Sequence, residues 1–237
     1  MNEIKIDTSY NVYTDAKGGD PDSTSKTLKQ FHKLLWSKQL PNGKFFNLSE
    51  HQNAKYLYHN SEFGEFYLGS DAITHSYRNH KRKEWLINQI SNEVKELFDT
   101  GSTIGAFTIF PNNRVDKKHT INQARGIISL IDDRFDLTLE CIRLLYLDKR
   151  SPLYDTLIRY KDFFDLFETF DNYIQFFLLQ DLVDKNKNIK FYLPFDNFKS
   201  RPTFSDREQY LTYKKGVMTF INARNNRIEK YSKENNL

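Results

Sequence analysis

Apolar positions recur every three or four residues through several stretches of this chain, and alternate with polar ones in a shorter block between them. In "STSKTLKQFHKLLWSKQL", Leu28, Phe31 and Leu35 share one helical face behind Ser and Thr residues suited to an N-cap. Pro41-Asn42-Gly43 ends that element as a turn. The runs "KFFNLSE", "AKYLYHN" and "GEFYLGSD" are short, aromatic and separated by polar breaks, which predicts a small antiparallel sheet or meander. "KEWLINQISNEVKELF" has apolar residues at 86, 87, 90, 94, 97 and 98, the spacing of an amphipathic helix. "TIGAFTIF", closed by "PNN", predicts a buried strand.

Beyond residue 119 the period is helical over about 120–132, 135–147, 152–184 and 205–232. The third span predicts one long helix or two closely spaced ones. Its stripe of Phe163, Phe167, Phe170 and Phe177 belongs in a core. "IKFYLPF" offers one more strand to the sheet. The fold class is therefore α+β, a small antiparallel sheet from the first half packed against a mainly helical second half. With no repeat, linker or shift in composition, residues 1–237 read as a single domain. A turn-rich segment and small sheet occupy about 1–110, and the helical part about 119–234.

Composition adds boundaries to this picture. Twenty Phe and 14 Tyr supply ample core volume, which excludes extended disorder away from the ends. A net charge of +4 is short of what implies a nucleic-acid partner by itself. Cys141 is the lone cysteine, so an intrachain disulfide and a multi-cysteine zinc site are excluded. Its place among Leu and Ile fits a core thiol better than a nucleophile. "MNEIKIDTSY" has no apolar leader core and no run approaches 18 apolar residues, so the expectation is a cytoplasmic protein with no membrane partner. The abundance of Lys, Asn and Ile hints at an AT-rich bacterial or phage genome.

Candidate chemistry is sparse. No Walker loop, G-x-G-x-x-G or G-x-S-x-G occurs, which removes the commonest nucleotide-binding and hydrolase classes. In "DAKGGDPDSTS", Asp15, Asp20 and Asp22 offer oxygen ligands for Ca²⁺ or Mg²⁺, but their spacing does not fit an EF-hand and a turn leading to an N-cap explains them equally. His32, His51, His59, His75, His80 and His119 form no paired metal motif. The run "HSYRNHKRKEW" mixes cations with aromatics, as phosphate contacts and base stacking require and as a solvated loop also does. Arg224 and Arg227 are neighbours on one face of the last helix.

The densest stretch is "RGIISLIDDRFDLTLECIRLLY", residues 125–146. If 135–147 is helical, Asp136, Glu140 and Arg143 stand at i, i+4 and i+7 and share a narrow polar stripe among large apolar residues. That stripe is either an ion-pair ladder against another helix or the lining of a cleft. Arg125, on the preceding helix, could bring a forked donor to a phosphate or carboxylate.

The strings "TINQARG" (120–126), "DRFDLTLECIR" (133–143) and "FFLLQDLV" (176–183), with "FHKLLWSKQLPNG" (31–43), "SPLYDTLIRYKDFF" (151–164) and "NARNNRI" (222–228), resemble a bacterial family of unknown function. The likeness runs in order from about Tyr10 to Arg227. It implies one bacterial domain and supplies no reaction. The polar positions it shares include His32, Trp36, Lys38, Asp71, Arg125, Asp133, Arg134, Asp136, Glu140, Arg143, Arg224 and Arg227.

Three functional readings follow. In the preferred one the protein binds or acts on a phosphate-bearing small molecule or nucleotide. Arg125, Arg143, Lys38, Arg224 and Arg227 would serve as anion-binding residues, and Asp136 and Glu140 as candidate catalytic carboxylates. Mg²⁺ is the cofactor such a pocket would admit, although no metal-ligand motif is present. The second reading is a nucleic-acid-binding protein or nuclease of a defence or toxin type, using Lys38, the 78–83 run, Arg224 and Arg227. The third is a non-enzymatic interaction protein, its aromatic helices meeting a partner or a second copy. The sharpest expectation is that Arg125, Arg143, Asp136 and Glu140 converge in one aromatic-walled pocket.

Overall fold

The computed structural model describes residues 5–50, 57–74 and 84–237. Asp20 caps the single turn α1 (Pro21–Thr24), and Ser25 caps α2 (Lys26–Trp36) by accepting from the Leu28 amide. The buried face of α2 is Leu28, Phe31, His32, Leu35 and Trp36, the stripe its spacing predicts extended by two polar-tipped residues. Strands β1 (Lys38–Gln39) and β2 (Phe45–Phe46) pair antiparallel across the turn at 41–43, where Gly43 takes φ +82°, a conformation glycine adopts without strain.

The main sheet is four-stranded and antiparallel in the order β3 (Ser49–Glu50), β4 (Leu57–Ser61), β5 (Gly64–Ala72), β6 (Phe107–Pro111). One end of β5 alternates as a half-solvated strand should: Phe66 and Leu68 face the core, while Tyr67 contacts Tyr58 on the outer face and both hydroxyls donate to Glu65. From Leu68 to Asp71 every residue is buried, as is all of β6. Phe163 of α8 (Lys161–Asp165) lies 5.8 Å from Phe66, ring to ring, so the helical half covers this sheet directly.

The helices are shorter than the sequence period suggests. The stretch 84–98 divides into α3 (Glu84–Ile87) and α4 (Ser91–Thr100), because Ile90 leaves the helical region. The helix expected over 120–132 is α5 (Ile121–Ile127), started by a Thr120/Gln123 capping box and stopped as Ile128 becomes extended. The long helix expected over 152–184 is instead α7 (Tyr154–Leu157), a 3₁₀ turn at 158–160, α8, α9 (Phe170–Phe176) and a second 3₁₀ turn at Gln180–Leu182. Thr169 is the reason for the main break: its side chain accepts from the Asn172 amide, capping α9 rather than continuing α8. The phenylalanine stripe survives the break, with Phe163, Phe167, Phe170 and Phe177 all buried.

The two remaining helices match their expected spans. Helix α6 (Phe135–Tyr146) is buried without interruption from Phe135 to Ile142. Helix α10 (Arg207–Glu234) is capped by Asp206 and packs on α4 and on the 3₁₀ turn at Ile104–Ala106. "IKFYLPF" adds no strand. Among the described residues only an isolated bridge, Val183 to Ile189, forms there, and the Tyr192 amide donates to Asp136 at 3.0 Å instead of to a neighbouring strand.

Candidate functional site

The turn Asp132–Asp133–Arg134 links α5 to α6 and controls the polar interior. Asp132 and Asp133 both take left-handed backbone (φ +47° and +61°), a region Asp tolerates better than most residues. Across this turn Arg125 and Arg134 both meet Thr138. The Thr138 hydroxyl accepts from Arg125 Nε at 2.9 Å and donates to the Arg134 carbonyl at 2.9 Å.

Arg125 is fully buried and pairs with Asp71 at the end of β5. It also donates to the Asp133 carbonyl (3.1 Å) and the Ala72 carbonyl (3.3 Å). Burial alone would lower its pKa, but Asp71 and Asp133 outweigh that and raise it. Burial lifts the Asp71 carboxyl to about 7 even against the pull of Arg125. Asp136, also fully buried, is gripped by Arg134 through Nε (3.1 Å) and Nη2 and by the Tyr192 amide. Glu140 and Arg143 pair with one another in a fork of 2.7 and 2.8 Å near the surface.

The expected four-residue pocket is therefore not what the chain builds. Arg125 answers Asp71, Asp136 answers Arg134, and Glu140 answers Arg143, giving three ion pairs in place of one convergent set. Asp136, Glu140 and Arg143 do share α6, as their spacing requires, but each charge finds a partner within the protein. Among the described residues the buried Arg224 donates only to carbonyls, those of Phe177, Gly105 and Phe107, while its guanidinium lies over the Trp36 ring. Arg227 forks onto Asp181 at 2.7 and 2.8 Å. Lys38 stands apart, its Nζ among the rings of Trp36, Phe176 and Tyr231.

A cleft opens beside the Arg134–Asp136 pair. It encloses about 590 Å³ between the 130–137 region, the 193–203 loop and the first turns of α10. Arg134 and Leu137 form part of its base, Phe195 and Phe198 part of its apolar wall, and Arg201 part of its rim. Phe198 and Asn197 both have φ +60°, so left-handed backbone flanks the cleft on this side as Asp132 and Asp133 do on the other. Such conformations cost on the order of 1–3 kcal/mol each and persist where surrounding contacts demand them. Arg201 donates to Asp132 at 3.1 Å, and its side chain is 39% exposed. Two of the acidic groups of the cleft are satisfied locally, Asp206 accepting from the Gln209 amide and Asp196 from the Lys199 amide and the Ser200 hydroxyl, and Glu208 lines it as well.

Sequence reasoning missed Arg201, Phe195 and Phe198, because they lie in an aperiodic loop. The signal available was Pro202, which disfavours helix at the preceding arginine. Asp15 and Asp20 work as turn and cap groups, Asp15 accepting from the Thr27 amide and Asp20 from that of Asp22, while the Asp22 carboxylate accepts from the Ser70 amide of β5. Among the described residues no three His, Cys, Asp or Glu side chains gather to hold a metal ion, so Mg²⁺ has no ligand set there. Residues 75–83, most of the basic run, and His51 lie outside the described residues. No described helix is long and apolar enough to cross a membrane.

No curated protein and no solved structure matches the chain. A family of unknown function (DUF6994) matches it over residues 6–228, a span containing both the ion-pair turn and the whole cleft, and the chain belongs to that family.

Proposed function

We propose that the protein binds a small organic anion, a phosphate or carboxylate attached to an apolar or flat ring, in the cleft at Arg201. The observation that carries this reading is Arg201 itself. Among the described residues it commits a single N–H to Asp132, and the other donors of its fork border a cleft of about 590 Å³. That volume lies within the usual range for small-molecule sites, and Phe195 and Phe198 offer ring surface for the rest of the ligand. Arg134 stands at the base, held in place by Asp136, which answers its charge. In this reading Asp136 acts as a positioning residue behind Arg134. Residence in the cytoplasm belongs to the same proposal, and the free, buried thiol of Cys141 accords with it.

The test is calorimetric titration of the full chain with inorganic phosphate and with adenosine monophosphate at low salt. Binding of the nucleotide more tightly than phosphate, weakened at least about tenfold in Arg201→Ala with unfolding unchanged, is the expected result, since one charge-assisted contact is worth about that factor. Equal affinity of wild type and Arg201→Ala, or no heat from either probe, overturns the reading.

A further inference from the structure

A second feature lies outside the cleft. Four elements meet at Lys38: the end of α2 brings Trp36, β1 the lysine, α9 Phe176 and α10 Tyr231. The lysine Nζ stands 5.3 Å from the Trp36 ring centroid, 4.7 Å from that of Phe176 and 4.6 Å from that of Tyr231. Behind the cage the Arg224 guanidinium lies 5.6 Å from the Trp36 centroid. Among the described residues neither cation is bonded to a carboxylate. Lysines withdrawn from water are ordinarily paired, so this half-buried ammonium, held by ring faces beside a second cation, lacks the usual counter-charge.

We propose that Lys38 is a nucleophilic amine, whose Nζ condenses with the carbonyl carbon of a small aldehyde or ketone at the partly exposed face of this aromatic cage. The Nζ lone pair attacks the carbonyl carbon, a proton passes from nitrogen to oxygen, and the carbinolamine loses water to leave a C=N bond. The sum is amine plus carbonyl to imine plus water, with no change of oxidation state. Lysines become nucleophilic when desolvated in an apolar pocket or set beside another cation, and Lys38 meets both conditions. The ring faces then accommodate the protonated imine, a delocalised cation, as they do the ammonium.

The charge balance around the cage supports this. Burial, then Arg224, push the Lys38 amine down to about 7, while the three ring faces, which favour the ammonium, act in the opposite sense. The other facing groups do not restore a counter-charge. Tyr231 keeps its proton, its pKa raised by burial. His32, which accepts the Trp36 indole N–H behind the cage at 2.8 Å, is held neutral with a pKa of about 3. Phe176 carries no charge, and Arg227 of the next turn of α10 is already answered by Asp181. At neutral pH the unprotonated fraction of Lys38 exceeds that of an ordinary lysine by roughly a thousandfold. The lower basicity of the amine takes back part of that advantage.

The test uses the full chain, butyraldehyde and sodium cyanoborohydride at pH 7, with conversion at every lysine read by peptide mass spectrometry. Butyraldehyde carries no anion, so the outcome is independent of the cleft at Arg201. Lys38 should react at least about tenfold faster than the exposed Lys95, Lys230 and Lys233, with half-maximal rate near pH 7. The preference should vanish in urea, and Tyr231→Ala, which opens one wall to water, should slow Lys38 several-fold at pH 7. Reaction of Lys38 at or below the rate of the exposed lysines, a half-maximal rate above pH 9, or indifference to Tyr231→Ala overturns the proposal. The wild-type comparison decides the matter even if the variant fails to fold.

Discussion

Acidification should remove a stabilising contribution made by one residue, His32, and the size of that contribution follows from its surroundings. His32 is buried on α2, with Nδ1 accepting from the Trp36 indole N–H at 2.8 Å and Nε2 facing the Ser70 hydroxyl at 3.1 Å. Nδ1 must therefore be the unprotonated nitrogen, and a second proton would set N–H against N–H. Burial first, and Arg224 second, lower the pKa to about 3 from the ordinary 6.5. Between these values the unfolded chain binds the proton and the folded chain does not. The stabilisation is complete above about pH 6.5 and is lost progressively as pH falls toward 3. From pH 7.5 to 4.5 the loss is about 2.7 kcal/mol, from RT ln(1 + 10²) for the unfolded imidazole. Asp22 and Asp71, both raised to about 7 chiefly by burial, act in the opposite sense, since each binds its proton more tightly when folded. Wild type alone would mix these effects. The proper assay is the difference in urea unfolding free energy between wild type and His32→Gln, which removes the titrating group and leaves both carboxyls. The advantage of wild type over the variant should shrink by about 2.7 kcal/mol between pH 7.5 and 4.5. A difference that stays constant across that range would show that His32 is protonated in the folded state, and the account of its hydrogen bonds would fail.

Two further expectations concern the core. Phe167 is fully buried, with the rings of Phe176, Phe177, Phe163 and Tyr173 at 4.9, 5.2, 5.4 and 5.4 Å, so Phe167→Ala should cost about 3–5 kcal/mol in chemical denaturation. A loss below about 1 kcal/mol would mean the stripe is not core. Arg125→Met leaves the Asp71 carboxyl buried without its cation and should cost about 3–5 kcal/mol, whereas adding Asp71→Asn should recover part of that loss. A double variant no more stable than the single one refutes the pairing as the source of the cost.

The sequence was informative where a signal is local and poor where partners are distant. The α2 and α6 stripes, the small sheet and the α10 span all follow from period and caps, because each depends on residues within a few positions. Thr169 was equally local, and its cap was hidden only by the strength of the phenylalanine period across it. The ion pairs are another matter. Spacing put Asp136, Glu140 and Arg143 on one helix face, but Arg125 meets Asp71 across 54 positions, and Arg201 meets Asp132 across 69. Nothing in a helical period selects such partners. The Lys38 cage is assembled from four elements, and the cleft wall from an aperiodic loop, so neither has a periodic signature.

The charges on α6 still have work to do once the convergent pocket is set aside. A buried ion pair is weak support for stability, since apolar replacements are often as good. Its stronger effect here is positional. Asp71 is at the inner end of β5, so its bond to Arg125 fixes α5 against the sheet, and the Arg125 bond to Thr138 fixes α6 against α5. Asp136 then takes the Tyr192 amide, which anchors the segment leading directly into the 193–203 loop. Arg134 completes the chain by donating to the Pro202 carbonyl at 3.4 Å, at the far end of the same loop. An aperiodic loop has no helix or ladder to hold it, and these two bonds are made at its two ends. Of the polar stripe, Asp136 thus acts one layer deeper, joined with Arg134 in the frame that sets where Phe195, Phe198 and Arg201 stand around the cleft.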